Sequence, residues 1–337
     1  MQRTIHASIL SVLVAFLSLA GSGAAQEAEP TRSIVNITGD LYRAQNNNHY
    51  NVFLVTSDGI VMTDPIDREF SLWLKGELAR RFSVPVRYVL YSHPDWDHAS
   101  GGVVFADTAE FVGHENFPAA LALPGGNPPL PANAREMDAN GNGLIERAEA
   151  SGNTSDRFTL IDENRDQLLS GAEMIRGAVN DVYPPTTTFS DRHTVTLGGK
   201  RVVLIYTGEA HDPASAVIYF PDERTVFGAD TLQAKRFPGG LGPNVGAWIE
   251  AINTVNELDY DIAATGHAMM GTKADIVALQ AYLQDLAVGV AAGVASGNSL
   301  QEIQESLTLD EYRDWDRYDT QRRTHIAAVF ATLQGNP

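Results

Sequence analysis

An apolar run, Val86–Tyr91, passes directly into Ser92-His93-Pro94-Asp95-Trp96-Asp97-His98. A short run rich in Val, Leu and Tyr reads as a buried strand. Four metal-capable side chains within six residues cannot share its buried faces, because unpaired ionisable groups are costly to bury. They belong on the loop at the strand's C-terminal end, where a chain free of sheet periodicity can turn several side chains towards one point. Three more candidates stand in or beside turns at later strand ends: His211 in Gly208-Glu209-Ala210-His211, Asp230 in Phe227-Gly228-Ala229-Asp230, and His267 in Thr265-Gly266-His267. Imidazole and carboxylate are the donors expected of a hydrolytic zinc, iron or manganese site. Taken singly, each reads as an ordinary surface or core residue. Their recurrence at strand ends does not.

Residues 31–123 alternate strand and helix patterns. Val52–Thr56 and Ile60–Thr63 flank the turn Ser57-Asp58-Gly59 as a hairpin, and a helix pattern follows over Glu69–Phe82. Strands resume at Thr194–Leu197, Val202–Tyr206, Ala216–Phe220 and Thr225–Phe227, with Gly198-Gly199 turning between the first two. In a helical tail over 271–337, Ile276, Leu279, Leu283, Leu286 and Val290 recur on one face. Ser299 and Glu302 spell a capping box, and Thr320–Leu333 is a last helix.

Two breakers, Pro124–Pro131 and Tyr183-Pro184-Pro185-Thr186, bracket residues 132–182 as an insertion. Within it, Asp138, Asn140, Asn142, Leu144, Glu146 and Glu149 occupy positions 1, 3, 5, 7, 9 and 12 of an EF-hand calcium loop, with Gly143 at the turn. A second loop offers Asp162, Asn164, Asp166, Leu168, Ser170 and Glu173 at the same positions, but Gln167 replaces the glycine. A left-handed residue bearing a Cβ costs about 1–2 kcal/mol, so the second loop is expected to bind more weakly. The loops begin 24 residues apart, too close for two full helix–loop–helix units. That spacing is similar to the compact calcium repeats of dockerin modules, although those close with aspartate. One or two calcium ions per chain are expected, in a structural, regulatory or protein-docking role.

The chain opens with Arg3, an apolar run Ile9–Ala20 and the small residues Gly21–Ala25, the pattern of a signal peptide over 1–25 cleaved after Ala25. The run is too short to span a bilayer, which needs about 20 residues. A periplasmic or secreted protein with no membrane attachment in its mature form is expected. The chain has no cysteine, which excludes disulfides, thiolate ligands and a cysteine nucleophile. Its net charge of −18 argues against a nucleic-acid partner bound through phosphates.

With His93-x-Asp95-x-Asp97-His98 followed by His211, Asp230 and His267, the sequence resembles the metallo-β-lactamase fold superfamily, whose signature is His-x-His-x-Asp-His and then a histidine, an aspartate and a histidine at later strand ends. The resemblance covers 31–123 and 187–270. It implies an α/β fold, an αββα sandwich carrying the inserted EF-hand subdomain and the helical tail. It assigns His93, Asp95 and His211 to one metal and Asp97, His98 and His267 to another, with Asp230 bridging. Asp64, in Thr63-Asp64-Pro65, matches the family's early aspartate and is expected to orient a ligand from behind. His114 is a second candidate for the cleft, whereas His49 and His193 read as structural. Trp96 either shapes the mouth or packs, and the glycine-rich run Phe237–Asn244 reads as a pocket wall.

The departure from the family pattern is Asp95 in place of histidine. A carboxylate there favours iron or manganese over zinc, or loosens the first site. The flavodiiron branch also carries a carboxylate at this position, but no flavodoxin-like segment accompanies it here. A bridging aspartate instead of cysteine points to the glyoxalase-like and lactonase-like branches. The resulting expectation is a metal-dependent hydrolase holding one or two Zn, Fe or Mn ions, in which a metal-bound hydroxide attacks an ester, lactone, thioester or amide of a small-molecule substrate. Asp97 and Asp230 would handle the proton. The alternatives are a catalytically silent calcium-dependent binding protein, with the insertion docking a protein partner, and an iron-dependent redox member of the same fold.

Overall fold

The computed structural model describes residues 29–242 and 244–335. The signal-peptide reading of residues 1–25 lies outside them. From Thr31 onward the chain forms one compact unit.

The chain opens with three antiparallel strands, β1 (Arg32–Thr38), β2 (Leu41–Asn46) and β3 (His49–Val55), and β3 turns back into β4 (Ile60–Thr63). Val55 pairs with Ile60, so the turn lies where Ser57-Asp58-Gly59 predicts it. Helix α1 (Arg68–Arg81) starts at Asp67, whose carboxylate accepts from the Phe70 N–H at 2.7 Å. After it come β5 (Val86–Leu90), the single-turn helix α2 (Trp96–Ala99), β6 (Glu110–His114) and α3 (Phe117–Leu121).

The inserted segment contains only short pieces: β7 (Ile145–Glu146), α4 (Gly152–Asp156), α5 (Phe158–Ile161), β8 (Leu168–Leu169) and α6 (Gly171–Arg176). The chain then returns through β9 (Thr187–Phe189) to β10 (Arg192–Leu197), β11 (Lys200–Tyr206), β12 (Ala216–Phe220) and β13 (Thr225–Phe227). Helix α7 (Val245–Asn256), β14 (Ile262–Ala264), β15 (Gly271–Thr272), α8 (Lys273–Ala295), α9 (Leu300–Ser306) and α10 (Tyr318–Leu333) complete it.

Two sheets result, ordered β1-β2-β3-β4-β5-β6-β9 and β10-β11-β12-β13-β14-β15. The central strands are apolar on both faces, and their alternation sorts residues between two layers. Val52, Leu54 and Val61 face the second sheet's Val202, Leu204 and Ile218. Phe53, Ile60 and Met62 face the other way, onto Phe70, Leu74 and Leu78 of α1. On the far side, α7, α8 and α10 cover the second sheet, and all five residues of the predicted α8 face are buried. Each such fully buried Leu or Ile contributes about 1.5–3 kcal/mol. Although α8 is apolar and long enough to span a bilayer, one face of it packs into the core beneath the second sheet. The layers therefore run helix, sheet, sheet, helix, the arrangement that the resemblance implies.

In the insertion, β7 and β8 pair antiparallel through Ile145↔Leu169, and Leu130, Phe158 and Ile161 close a small core around them. Gly143 and Gln167 are both left-handed, at φ 80° and 69°, so both loops make the same sharp turn. Asp138 accepts from the N–H groups of Asn142 and Gly143, and Asp162 accepts from that of Gln167. Glu149 and Glu173 close their loops onto the N–H groups of Ala139 and Glu163. The flanking helices are a single turn or two, as the short spacing requires.

Candidate metal centre

The sandwich gathers its polar loops at one edge. His93 and Asp95 follow β5, Asp97 and His98 lie in α2, and His211, Asp230 and His267 stand in the loops after β11, β13 and β14. Two glycines let these loops approach. At Gly101 (φ 81°) a Cβ would stand 2.5 Å from the Asp67 backbone, and at Gly266 a Cβ would stand 2.6 Å from His98 Cε1.

All seven residues converge. His93 Nε2 lies 3.5 Å from Asp95 Oδ2, and His211 Nε2 lies 3.2 Å from the same oxygen and 3.3 Å from Asp230 Oδ2. On the other side, His98 Nε2 and His267 Nε2 lie 3.3 and 3.0 Å from Asp230 Oδ1, and His267 Nε2 lies 3.4 Å from Asp97 Oδ2. The two oxygens of Asp230 thus face two different groups. Donors held about 2.0–2.1 Å from a tetrahedral metal stand roughly 3.4 Å apart, and these separations are close to that.

The tautomers point the same way. Asp64 is wholly buried and accepts from the Ser92 N–H at 2.8 Å, the Ser92 hydroxyl at 2.6 Å and His98 Nδ1–H at 3.1 Å. With its hydroxyl hydrogen given to Asp64, Ser92 Oγ accepts from His93 Nδ1–H at 2.9 Å. With both Nδ1 atoms donating away from the cluster, the Nε2 atoms of the neutral rings turn their lone pairs into it. His93 Nε2 and Asp230 Oδ1 are buried with no hydrogen-bond partner, and His98 Nε2 faces His267 Nε2 at 3.0 Å. Orphaned acceptors facing one another fit a cation between them, so the residues present suit a metal pair.

The electrostatics agree. Burial raises the Asp230 carboxyl, but the close approach of His98 and His267 more than offsets it and holds it well below the usual range. Burial likewise raises Asp95 and Asp97. His211 and His93 hold Asp95 far below its ordinary value, and His49 and His98 bring Asp97 to about 2. Burial lowers His98, yet the Asp230 and Asp64 carboxylates carry it well above its ordinary value. His211 is raised too, burial being outweighed by Asp95 and Asp230. Carboxylates this close favour positive charge in the cluster, which protonated histidines or bound cations can each supply.

Asp64 takes the orienting position expected of it. His114 does not. Its Nε2 bonds the Ser190 carbonyl at 2.9 Å, its Nδ1 accepts from the Asn116 N–H, and its ring stacks on Tyr206 at 3.9 Å. With both nitrogens engaged between strands, His114 serves packing and not the cluster. His49 corrects the reading in the opposite direction. At the start of β3, its Nε2 lies 3.2 Å from Asp97 Oδ2 and its ring meets His267 edge-on at 4.7 Å.

A cavity of about 560 Å³ opens over Asp97, His211, Asp230 and His267. Gly239 and Gly240 of the predicted wall line it, as does Trp96. The Trp96 ring also packs on the core of the insertion, with the Arg157 guanidinium 4.0 Å over it. Trp96 therefore does both things considered for it.

A family model described as the metallo-beta-lactamase superfamily matches residues 51–267. Among curated proteins, the 2,4-dinitroanisole O-demethylase subunit alpha of Nocardioides sp. (strain JS1661) is 33% identical over 112 residues, a stretch covering 30% of this chain and 33% of that one. The chain thus matches only about a third of that relative's length. Among solved structures, the stereoselective inverting sec-alkylsulfatase Pisa1 from Pseudomonas sp. aligns at TM-score 0.60 and 17% identity, over 90% of this chain and 50% of its own. A metallo-beta-lactamase family protein from Thermus thermophilus aligns at TM-score 0.53 and 18% identity, over 88% and 92% of the two chains. At these identities the likeness to the solved structures is one of fold.

Proposed function

The chain belongs to the metallo-beta-lactamase superfamily, and from that premise we propose that it is a metal-dependent hydrolase of an ester, lactone, thioester or amide bond in a small molecule. One observation carries the reading: the two oxygens of Asp230 face two separate histidine–carboxylate groups, as a bridging ligand between two ions would. His93, Asp95 and His211 would hold one ion, and Asp97, His98 and His267 the other. Such ions lower the pKa of a bound water from about 15.7 towards 7 and polarise the bond to be broken.

The chain's own residues do the rest. Asp64 fixes His98 directly and His93 through Ser92, so their Nε2 lone pairs stay aimed inward. Asp97, its carboxyl held low by the His49 Nε2–H at 3.2 Å and by His98, is placed to take a proton from an attacking water. Asp95 supplies a hard donor where an imidazole is usual, which favours iron or manganese over zinc at that position.

The insertion is read as a pair of calcium loops of EF-hand type that brace the cavity's rim; the matched left-handed turns and the Ile145↔Leu169 ladder support this. A periplasmic or secreted location remains part of the proposal, on the composition of residues 1–25. Asp97→Ala is the test of the hydrolase reading. Turnover of a panel of activated esters, lactones and thioesters should fall at least about 100-fold, the scale of a lost general base; undiminished turnover would refute it.

A further inference from the structure

The cavity beside the metal centre is lined by three arginines and no lysine: Arg157 from the insertion, Arg236 from the loop after β13, and Arg317 at the start of α10. Apart from the ligands Asp97 and Asp230, no carboxylate lines it. In a chain carrying 42 acidic against 24 basic residues, three arginines at one site that meet, besides the ligands, a single exposed acid, Asp316 beside Arg236, stand against the composition.

Their donors are largely unspent. Arg236 is 6% exposed. Its Nη1 reaches Gln233 Oε1 at 3.4 Å, while Nε lies 3.1 Å from Asp316 Oδ2 outside hydrogen-bond geometry. The Arg317 and Arg157 guanidinia make no ion pair or side-chain hydrogen bond among the described residues, Arg157 resting only on the Trp96 ring. A buried guanidinium with free N–H groups costs free energy unless something binds it.

The backbone holds these groups in place at a cost. Arg317 is left-handed at φ 66° and Lys235 at φ 50°, conformations that cost about 1 kcal/mol or more for residues with a Cβ. Two backbone hydrogen bonds, Asp316 N–H to the Lys235 carbonyl and Phe237 N–H to the Asp316 carbonyl, both 3.0 Å, tie the Arg236 and Arg317 segments together. Strain so fastened beside a reactive centre is a mark of a pre-set binding site. Arg317 and the helix it starts lie beyond the residues matched by the family model.

We propose that Arg236 and Arg317, with Arg157 at the rim, form an oxyanion-binding subsite, so that the substrate carries a carboxylate or sulfate group. Planar guanidinia suit both groups, because two N–H donors can meet two oxygens. The assignment of this anion to a substrate rests on the hydrolase reading; the subsite itself does not.

The test uses the metal-loaded full chain and three chromogenic probes: 4-nitrophenyl butyrate, mono-4-nitrophenyl glutarate with its terminal carboxylate, and 4-nitrophenyl sulfate. Anion binding is measured separately by calorimetry with succinate and with sulfate at low ionic strength, where charge recognition is least screened. One anionic probe should exceed the neutral ester in kcat/KM by about 10-fold or more, equal to about 1.4 kcal/mol. R317Q should collapse that ratio towards one and weaken the matching anion's binding by a similar factor, and R157Q should do so to a lesser degree. R323Q, on an exposed stretch of α10, should keep the wild-type ratio. Preference for the glutarate ester places the anion away from the broken bond, and preference for the sulfate places it there. Ester turnover with no charge preference and no R317Q-sensitive anion binding would overturn the subsite and leave the hydrolase standing. R317Q-sensitive anion binding without turnover of any probe, or of the wider panel of esters, lactones and thioesters, would overturn the hydrolase and leave the subsite standing.

Discussion

His325 offers a sharp test of how the C-terminal helices support the cavity. It is 1% exposed on α10, accepts from the Tyr282 hydroxyl at Nδ1 (2.6 Å) and donates from Nε2 to the Pro238 carbonyl (3.1 Å). It thereby pins the loop whose next residues line the cavity. Burial outweighs the bond to Pro238 and lowers its pKa from 6.5 to about 4. Between those values the unfolded chain holds a proton that the folded chain refuses, so acid favours unfolding. Stability is greatest above pH 6.5 and falls as pH drops towards 4, below which both states are protonated and the loss is complete. Integrated from pH 7.5 to pH 5.0, the loss is about 2 kcal/mol. His325→Gln keeps the hydrogen-bonding capacity without the titration. Urea unfolding of both proteins at the two pH values isolates the term, since other groups cancel in the double difference. The wild type should lose about 2 kcal/mol more than the variant on acidification. Equal losses would refute the buried neutral imidazole.

Asp64→Ala strands three donors in a site with no solvent access, so at about 1–3 kcal/mol per unmet group it should cost about 3–9 kcal/mol of stability, and weaken transition-metal affinity about 10–100-fold. Denaturation and competition with a metallochromic chelator check the two effects; retained affinity would remove Asp64 from its orienting role. Calcium held by the insertion should stabilise the protein by about 2.7 kcal/mol at a free concentration 100 times its dissociation constant. EGTA should then lower the melting temperature, and Glu149→Gln should reduce that shift more than Glu173→Gln, because the second loop turns on Gln167. No shift with EGTA would dismiss calcium.

Much of the cluster was legible because its chemistry is local. Seven ligand-type residues stand at strand ends, and the apolar strands that carry them announce themselves. The hairpin at Ser57–Gly59, the buried stripe of α8 and the Ser299–Glu302 capping box follow from short-range rules and appear where those rules place them. His49 was not legible. It follows an Asn-rich turn with no ligand pattern, and it reaches Asp97 only because β3 lies beside β4 and β4 beside β5. His114 misled for the converse reason: a histidine ending a strand after glycine resembles a ligand until Ser190 and Tyr206 arrive from distant segments. The arginines carry no motif at all. Arg236 and Arg317 meet through a backbone ladder between segments about 80 residues apart in sequence, and no periodicity records such a pairing.

Seven residues, bridged by Asp230, would hold a pair of metal ions. Elemental analysis of chelator-free protein, beside its Asp230→Ala variant, tests this directly. About two zinc, iron or manganese ions per chain are expected in the wild type, and a loss of at least one in the variant. Wild-type protein that holds no transition metal after exposure to all three, or a variant that keeps the full complement, would contradict it.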